Sequence, residues 1–365
     1  MSRFAINGKT MKAGLSWLGI AAVCFVVLEL AARVDDRLTY GAPWSGPYDL
    51  DRLFQVTDRG LRGVPNGSYM TFQLNAEGLR GPAFRPDHGQ VRVVAYGASE
   101  TFGIYERPGN EYPRALERAL NGGAGDGPFE VINAGMPGMR VGSGISLLRE
   151  LGTQLAPKVV IIYPTPTHYI GVTRPYCHRP PSVPPRSDGF TFRILEKTKE
   201  RVKQALPRNG MTMFRQAAIR WQMRHKTLID QVDPRSMDAM EEDIRCALQT
   251  IKEMGATPVL VTHASRFGPV AQPDDDYYLT GWRLQYPEIE QGTLLSLEQA
   301  ANDRIRAVAA GEHVDLIDAS TRLGGQSALF ADHAHFNDDG ARQMASMLAT
   351  EIRKIVPAGH VGAGS

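Results

Sequence analysis

The stretch VVAYGASETFG, residues 93–103, ends an apolar, β-branched run abruptly at a Gly-Ala-Ser turn. A strand that stops this way leaves a small hydroxyl residue, Ser99, at the carboxyl edge of a sheet. In open α/β sheets that edge is where ligands bind. Helix-forming sequence follows from Tyr112 to Leu120. A serine so placed has its oxygen exposed and its backbone N–H free, as nucleophilic catalysis requires. The same stretch also fits a plain strand-to-helix loop in which Ser99 only caps the helix. The rest of the chain decides between the two.

Outward from this stretch, strands and helices alternate. The patterning predicts strands over 91–96, 129–133 (FEVIN), 159–163, 258–262 and 314–317, and helices over 112–120, 143–155, 238–254, 294–310 and 338–355. Such alternation predicts a parallel sheet with helices on both faces. The run 159–163 is continuously apolar, as in a strand buried on both sides. Upstream, residues 52–90 hold short alternations around turn signals, with SYMTFQL (68–74) reading as a half-buried strand. An insertion over about 170–237 interrupts the alternation after the third strand. It begins with the proline-rich segment 174–188 and continues as polar, helix-prone sequence over 196–225. Rooted on the carboxyl edge, it could cover a substrate site, dock a partner or be a solvated decoration.

Residues 13–32, AGLSWLGIAAVCFVVLELAA, are nearly all apolar. About 20 such residues cross a bilayer as a helix. Arg3, Lys9 and Lys12 precede the run and keep that side in the cytoplasm, so the remainder is expected on the far side, periplasmic or extracellular. A cleaved signal peptide needs a shorter apolar core and a small-residue cleavage site, which Leu30-Ala31-Ala32 matches poorly. Glu29 is expected near the outer end, reaching water or a partner membrane helix. The expected organisation is a cytoplasmic tip and anchor (1–34), a linker and small β lead-in (35–90), a main domain (91–356) and a flexible Gly-rich tail (357–365).

The chain has 365 residues, 42% hydrophobic and 22% charged, with a formal charge of +2. That supplies a normal core. No dense basic patch interleaved with aromatics points to nucleic acid. Cys24 lies in the apolar run. Cys177 and Cys246 lack metal-site spacing and are either one disulfide or two free thiols.

Near the carboxyl end stands LFADHAHFNDDG, residues 329–340. An Asp three residues before a His can place both side chains on one side of a single turn. Asp332 would then hold one ring nitrogen of His335 and leave the other as acceptor, the orienter and base that a serine nucleophile requires. His333 is a rival base, but a neighbour one residue away points elsewhere. Asn337 and Asp338 are expected helix caps. His263, His168 and His178 are read as loop or packing histidines.

The ordered blocks resemble the SGNH/GDSL hydrolase superfamily. Gly97-Ala98-Ser99 resembles its first block, with Ser99 as nucleophile; Ala98 stands where the family usually has Asp. Residues 133–138, NAGMPG, resemble the second block, whose later glycine, matched by Gly138, donates a backbone N–H to the oxyanion. Asp332 and His335 resemble the last block. NAEGLRG, residues 75–81, resembles a lead-in common in bacterial members. The third block, usually Gly-x-Asn-Asp, is replaced by YPTPTH (163–168), with Thr167 at the expected Asn position.

The resemblance implies a flavodoxin-like, SGNH-type three-layer α/β/α sandwich over roughly residues 70–355, apart from the insertion. It implies acyl-transfer chemistry by Ser99, His335 and Asp332, with Ser99, Gly138 and Thr167 at the oxyanion, and no cofactor or metal. The expected activity is that of an extracytoplasmic esterase or O-acyltransferase acting on acyl esters of cell-surface or exported glycans. Loss of the Asn also allows a scaffold that binds glycan or serves a membrane assembly. A third reading is a lipid esterase.

Overall fold

The computed structural model describes residues 8–46, 48–86, 89–123, 127–179 and 191–356, with side chains from Trp17 onward. The expected tail (357–365) and most of the proline-rich run lie outside the described residues. The chain forms two compact units, the smaller from residues 1–52, 69–71 and 186–207 and the larger from the remainder.

The smaller unit is built on α1 (Gly8–Tyr40) and α5 (Arg193–Ala205). The span Trp17–Tyr40 is long and apolar enough to cross a membrane, with only 17% of its most apolar window buried. The helix runs past the expected apolar end at residue 32, so the start of the expected connector is helical. The acidic residues there have partners that hold them in the helix. Asp36 pairs with Arg193 at 3.4 Å and Lys197 at 2.7 Å, and Asp35 pairs with Lys197 at 2.8 Å. Glu29 does not reach water as expected. It is buried, pairs with Arg33 at 2.7 Å and accepts the Ile194 N–H at 3.0 Å. The insertion's own helix supplies the donor, because the N–H groups of its first turn lack intrahelical acceptors.

The larger unit opens with the antiparallel pair β1 (Phe54–Thr57) and β2 (Gly60–Gly63). The expected strand over 68–74 is instead two short strands, β3 (Ser68–Tyr69) and β4 (Phe72–Gln73), because the chain turns at Met70 with φ 47°. Next come β5 (Val91–Gly97), β6 (Phe129–Asn133), β7 (Val159–Tyr163), β8 (Thr257–Val261) and β9 (Asp315–Ile317). These five pair in the order β6-β5-β7-β8-β9, every pair parallel.

Every residue of β5, β6 and β7 is buried. Alternation along β5 sends Val94 and Tyr96 into one layer with α4 (Ile145–Leu155), α7 (Pro234–Glu253) and α9 (Gln291–Glu312). Val93 and Ala95 enter the opposite layer with α3 (Tyr112–Leu120) and α11 (Asp338–Ile355). This is the expected three-layer α/β/α sandwich. The strand order reverses between β5 and β7, the crevice where ligands bind in such sheets.

The insertion's later helix is α6 (Arg208–Met223), which packs on α8 (Asp275–Gln285). The patterning did not predict α8. Its sequence carries Gly281 and two adjacent tyrosines, poor helix formers, and it is held by burial of Leu279 and Trp282. A disulfide joins Cys177 to Cys246 on α7, with Cα atoms 6.4 Å apart, and resolves the open alternative.

Candidate active site

Ser99 is the first residue of a short helix, α2 (Ser99–Phe102), that starts directly off β5. The N-cap position is Ala98, and no side chain caps the helix, so the capping reading of Ser99 does not apply. The turn needs glycine at position 97. A Cβ there would meet the Thr101 Oγ1 at 2.2 Å and the Tyr163 carbonyl at 2.8 Å. Arg80, from the lead-in segment, is buried and donates to the carbonyls of Phe102 (2.7 Å) and Gly103. It thereby satisfies the carboxyl end of α2, where the last carbonyls have no helical partner.

From the far end of the chain, Asp332 and His335 arrive on one tight turn. Asp332 Oδ1 accepts the backbone N–H groups of Ala334 (3.0 Å) and His335 (2.9 Å). The Ala331 N–H donates to the His335 carbonyl at 2.8 Å, and buried Phe330 and Phe336 flank the turn with rings 5.2 Å apart. His335 Nδ1 lies 2.8 Å from Asp332 Oδ2, and its Nε2 lies 2.8 Å from Ser99 Oγ. With Nδ1–H donated to the carboxylate, Nε2 is left to accept the serine hydroxyl. Tyr105 lies edge-on to the His335 ring, 5.4 Å between centroids, and is itself 54% exposed.

Burial alone would lower the His335 pKa. The Asp332 hydrogen bond and charge outweigh it, with Glu100 and Glu106 adding to the effect, and the net shift is upward. Burial would raise Asp332, but the His335 hydrogen bond wins and the carboxyl is held well below its usual range. His333 is driven the other way. It is buried and stacked on Trp282 (5.0 Å), and burial pushes it down to about 4. It is a neutral packing group at neutral pH and no rival base. Asn337 caps α11 by accepting from Asp339 and Gly340 N–H. Asp338 is no cap: its carboxylate binds Arg107 and Asn110.

The NAGMPG loop runs beside the end of β5, with Ala134 N–H donating to Ala95 O at 2.9 Å and Met136 N–H to Gly97 O at 3.1 Å. Gly138 has φ 76° and open space where a Cβ would stand, so it is its backbone conformation that calls for glycine there. Among the described residues neither Ser99 N–H nor Gly138 N–H has a backbone acceptor. Thr167 is buried, near Tyr286. The hydroxyl of Thr165, two residues before it, donates to Glu100 Oε2 at 2.9 Å.

Glu100 belongs to a network that sequence reading missed. Its Oε2 lies 3.4 Å from Ser99 Oγ and its Oε1 3.3 Å from His263 Nε2. His263 Nδ1 meets Glu298 Oε2 at 2.8 Å. Asn302 fixes the histidine backbone by accepting its N–H at 2.7 Å and donating to its carbonyl at 2.9 Å. Burial opposes charge on His263, but Glu298 and Glu100 overcome it and push the imidazole up to about 10. Burial likewise opposes charge on Glu100, and the His263 hydrogen bond holds it well below its usual range. His263 thus lies between the carboxylates of Glu298 and Glu100, and Glu100 in turn meets Ser99 Oγ. His263 is no plain packing histidine. His168 matches expectation better: its Nδ1 lies 3.1 Å from the Met139 carbonyl and burial lowers its pKa. His178 is exposed, 3.3 Å from Glu242.

No family model and no curated protein matches the chain. Solved structures do. An acetyl xylan esterase, AlAXEase, matches at 13% identity over 72% of this chain and 100% of its own, with a TM-score of 0.43. A lipase/acylhydrolase from Enterococcus faecalis matches at 16% identity over 73% and 96%, TM-score 0.42. A carbohydrate acetylesterase from Sinorhizobium meliloti matches at 11% identity over 73% and 100%, TM-score 0.40. These are similarities of chain path.

Proposed function

We propose that this chain is a membrane-anchored serine ester hydrolase of the SGNH/GDSL type. The observation that carries the reading is the unbroken series from Asp332 through His335 to Ser99, with 2.8 Å at each step. Ser99 Oγ attacks an ester carbonyl while His335 Nε2 takes its proton. The alkoxide of the tetrahedral intermediate is held by Ser99 N–H and Gly138 N–H. His335 then returns the proton to the departing alcohol, leaving an acyl-serine. Water, activated by the same histidine, attacks the acyl carbon and frees the acid and Ser99. A sugar hydroxyl in place of water would make the enzyme an O-acyltransferase.

Thr167 is the third oxyanion donor in this proposal. Its shorter side chain, where the resembled family has Asn, favours one further reading, a site of reduced turnover or a glycan-binding scaffold. Thr167→Ala separates them: turnover falls if the hydroxyl donates, and an unchanged rate removes it from the mechanism. The substrate class proposed is acyl esters of cell-surface or exported glycans. A single apolar helix preceded by Arg3, Lys9 and Lys12 supports an anchored protein with a cytoplasmic amino terminus and its catalytic domain on the far side.

The test is turnover of p-nitrophenyl acetate and of acetylated glycan beside Ser99→Ala. The proposal expects release of acetate by the native chain and none by the variant. Glycan acetate transferred to an added acceptor would identify the transferase. Absence of any turnover by the native chain overturns the enzyme and leaves the scaffold.

A further inference from the structure

The insertion's helix α6 carries a surface that the proposed chemistry does not use. Segment 208–229, RNGMTMFRQAAIRWQMRHKTLI, holds five Arg or Lys and no Asp or Glu. The helix buries Met211 and Ile219 in the larger unit, where it packs on α8. Arg215 reinforces that side by donating to the Tyr277 carbonyl at 2.6 Å. On its opposite side, Met213 is 70% exposed, Phe214 65% and Trp221 66%. At 3.6 residues per turn, Met213, Phe214, Ala217, Arg220 and Trp221 fall within an arc of about 120° centred away from the buried face, and exposed Arg224 follows directly after the helix end.

A soluble helix normally turns its charged face to water and its aromatics inward. Here large apolar groups and arginines share the exposed face. Arg208 and Lys226, near the ends of the segment, are occupied by Asp274 and Glu288. Arg220 and Arg224 make no ion pair among the described residues, and Arg224 lies 4.9 Å from the Trp221 ring. Trp and Phe at the level of lipid headgroups, flanked by Arg, are the composition of a helix lying in a bilayer interface. The unpaired arginines on a face without acidic residues select negative headgroups. In sequence, α6 follows α5 after Leu206 and Pro207 alone.

We propose that the exposed face of α6 seats on the surface of an anionic lipid bilayer, with Phe214 and Trp221 entering the headgroup layer and Arg220 and Arg224 on lipid phosphates. The surface is a second membrane contact beyond the apolar helix.

The full chain carrying Trp17→Phe and Trp44→Phe leaves Trp221 and the buried Trp282 as fluorophores. It is reconstituted in nanodiscs of brominated phosphatidylcholine, with or without brominated phosphatidylglycerol. The expected result is quenching of roughly half of the emission assigned to Trp221 in the anionic discs, weak quenching in the zwitterionic discs, and loss of quenching in Arg220→Glu/Arg224→Glu. Trp221→Phe provides the baseline, and circular dichroism confirms folding of each variant. No quenching in either disc overturns the proposal. Equal quenching in both overturns the anionic selection. A concentration-dependent blue shift of Trp221 without lipid quenching assigns the face to a second copy of the chain and also overturns it.

Discussion

Asp332 makes three polar contacts within its own turn: two backbone N–H groups and the His335 ring. Its place beside His335 was legible because a three-residue spacing is a local constraint. Asp332→Asn keeps the turn's acceptor but presents the wrong group to Nδ1. Turnover is expected to fall by roughly 1000-fold or more, measured as kcat on p-nitrophenyl acetate. Glu100, His263 and Glu298 were illegible for the opposite reason. His263 lies 163 residues from Glu100, and only the sheet brings them together. This network predicts a sign. Glu100 faces His263, Thr165, Ser99 and His335, with His168 also in its field, and its negative charge favours the protonated His335. Glu100→Gln should lower the acid limb of the kcat/KM profile by about half to one pH unit. His263→Gln leaves Glu100 uncompensated and should move the same limb upward. Limbs that do not move in either variant would remove the network from the chemistry.

At the scale of elements, apolar runs were sufficient for β5 to β8, helped by the turn signals that follow β5, β6 and β7. The helix α8 was not legible, since tertiary burial of Trp282 overrides its weak propensity. Glu29 was misjudged because nothing local shows that Ile194 will meet it. The disulfide between the start of the insertion and α7 closes 69 residues. Loss of such a link costs about 2–4 kcal/mol. Cys246→Ser, or reduction of the native chain, should therefore lower the urea midpoint and steepen the slope, because the unlinked unfolded chain exposes more surface; an unchanged midpoint would show that the link contributes nothing.

For the molecule as a whole, the buried His263 sets a pH window for stability. Its pKa is about 10 in the folded chain and near 6.5 when unfolded. A raised pKa contributes stability that is complete below about pH 6.5 and is lost as pH rises through about 10. The native Tm should fall over that interval by more than that of His263→Gln; parallel curves would contradict a charged His263. The strand order β6-β5-β7-β8-β9 puts Ser99 and the Thr165–Thr167 segment on the two sides of the reversal point. Local patterning predicted both strand ends, while their adjacency is a property of the sheet. The long apolar helix and the sandwich were each visible in composition and periodicity, whereas the α1–α5 bonding joins groups 157 to 165 residues apart. The central claim is that Ser99 is a nucleophile activated by His335. The most direct measurement is intact-mass and peptide mapping after treatment with a fluorophosphonate. One adduct is expected, on Ser99, absent in Ser99→Ala and formed far more slowly in His335→Ala. An unlabelled native chain, or an adduct that forms equally fast without His335, would contradict it.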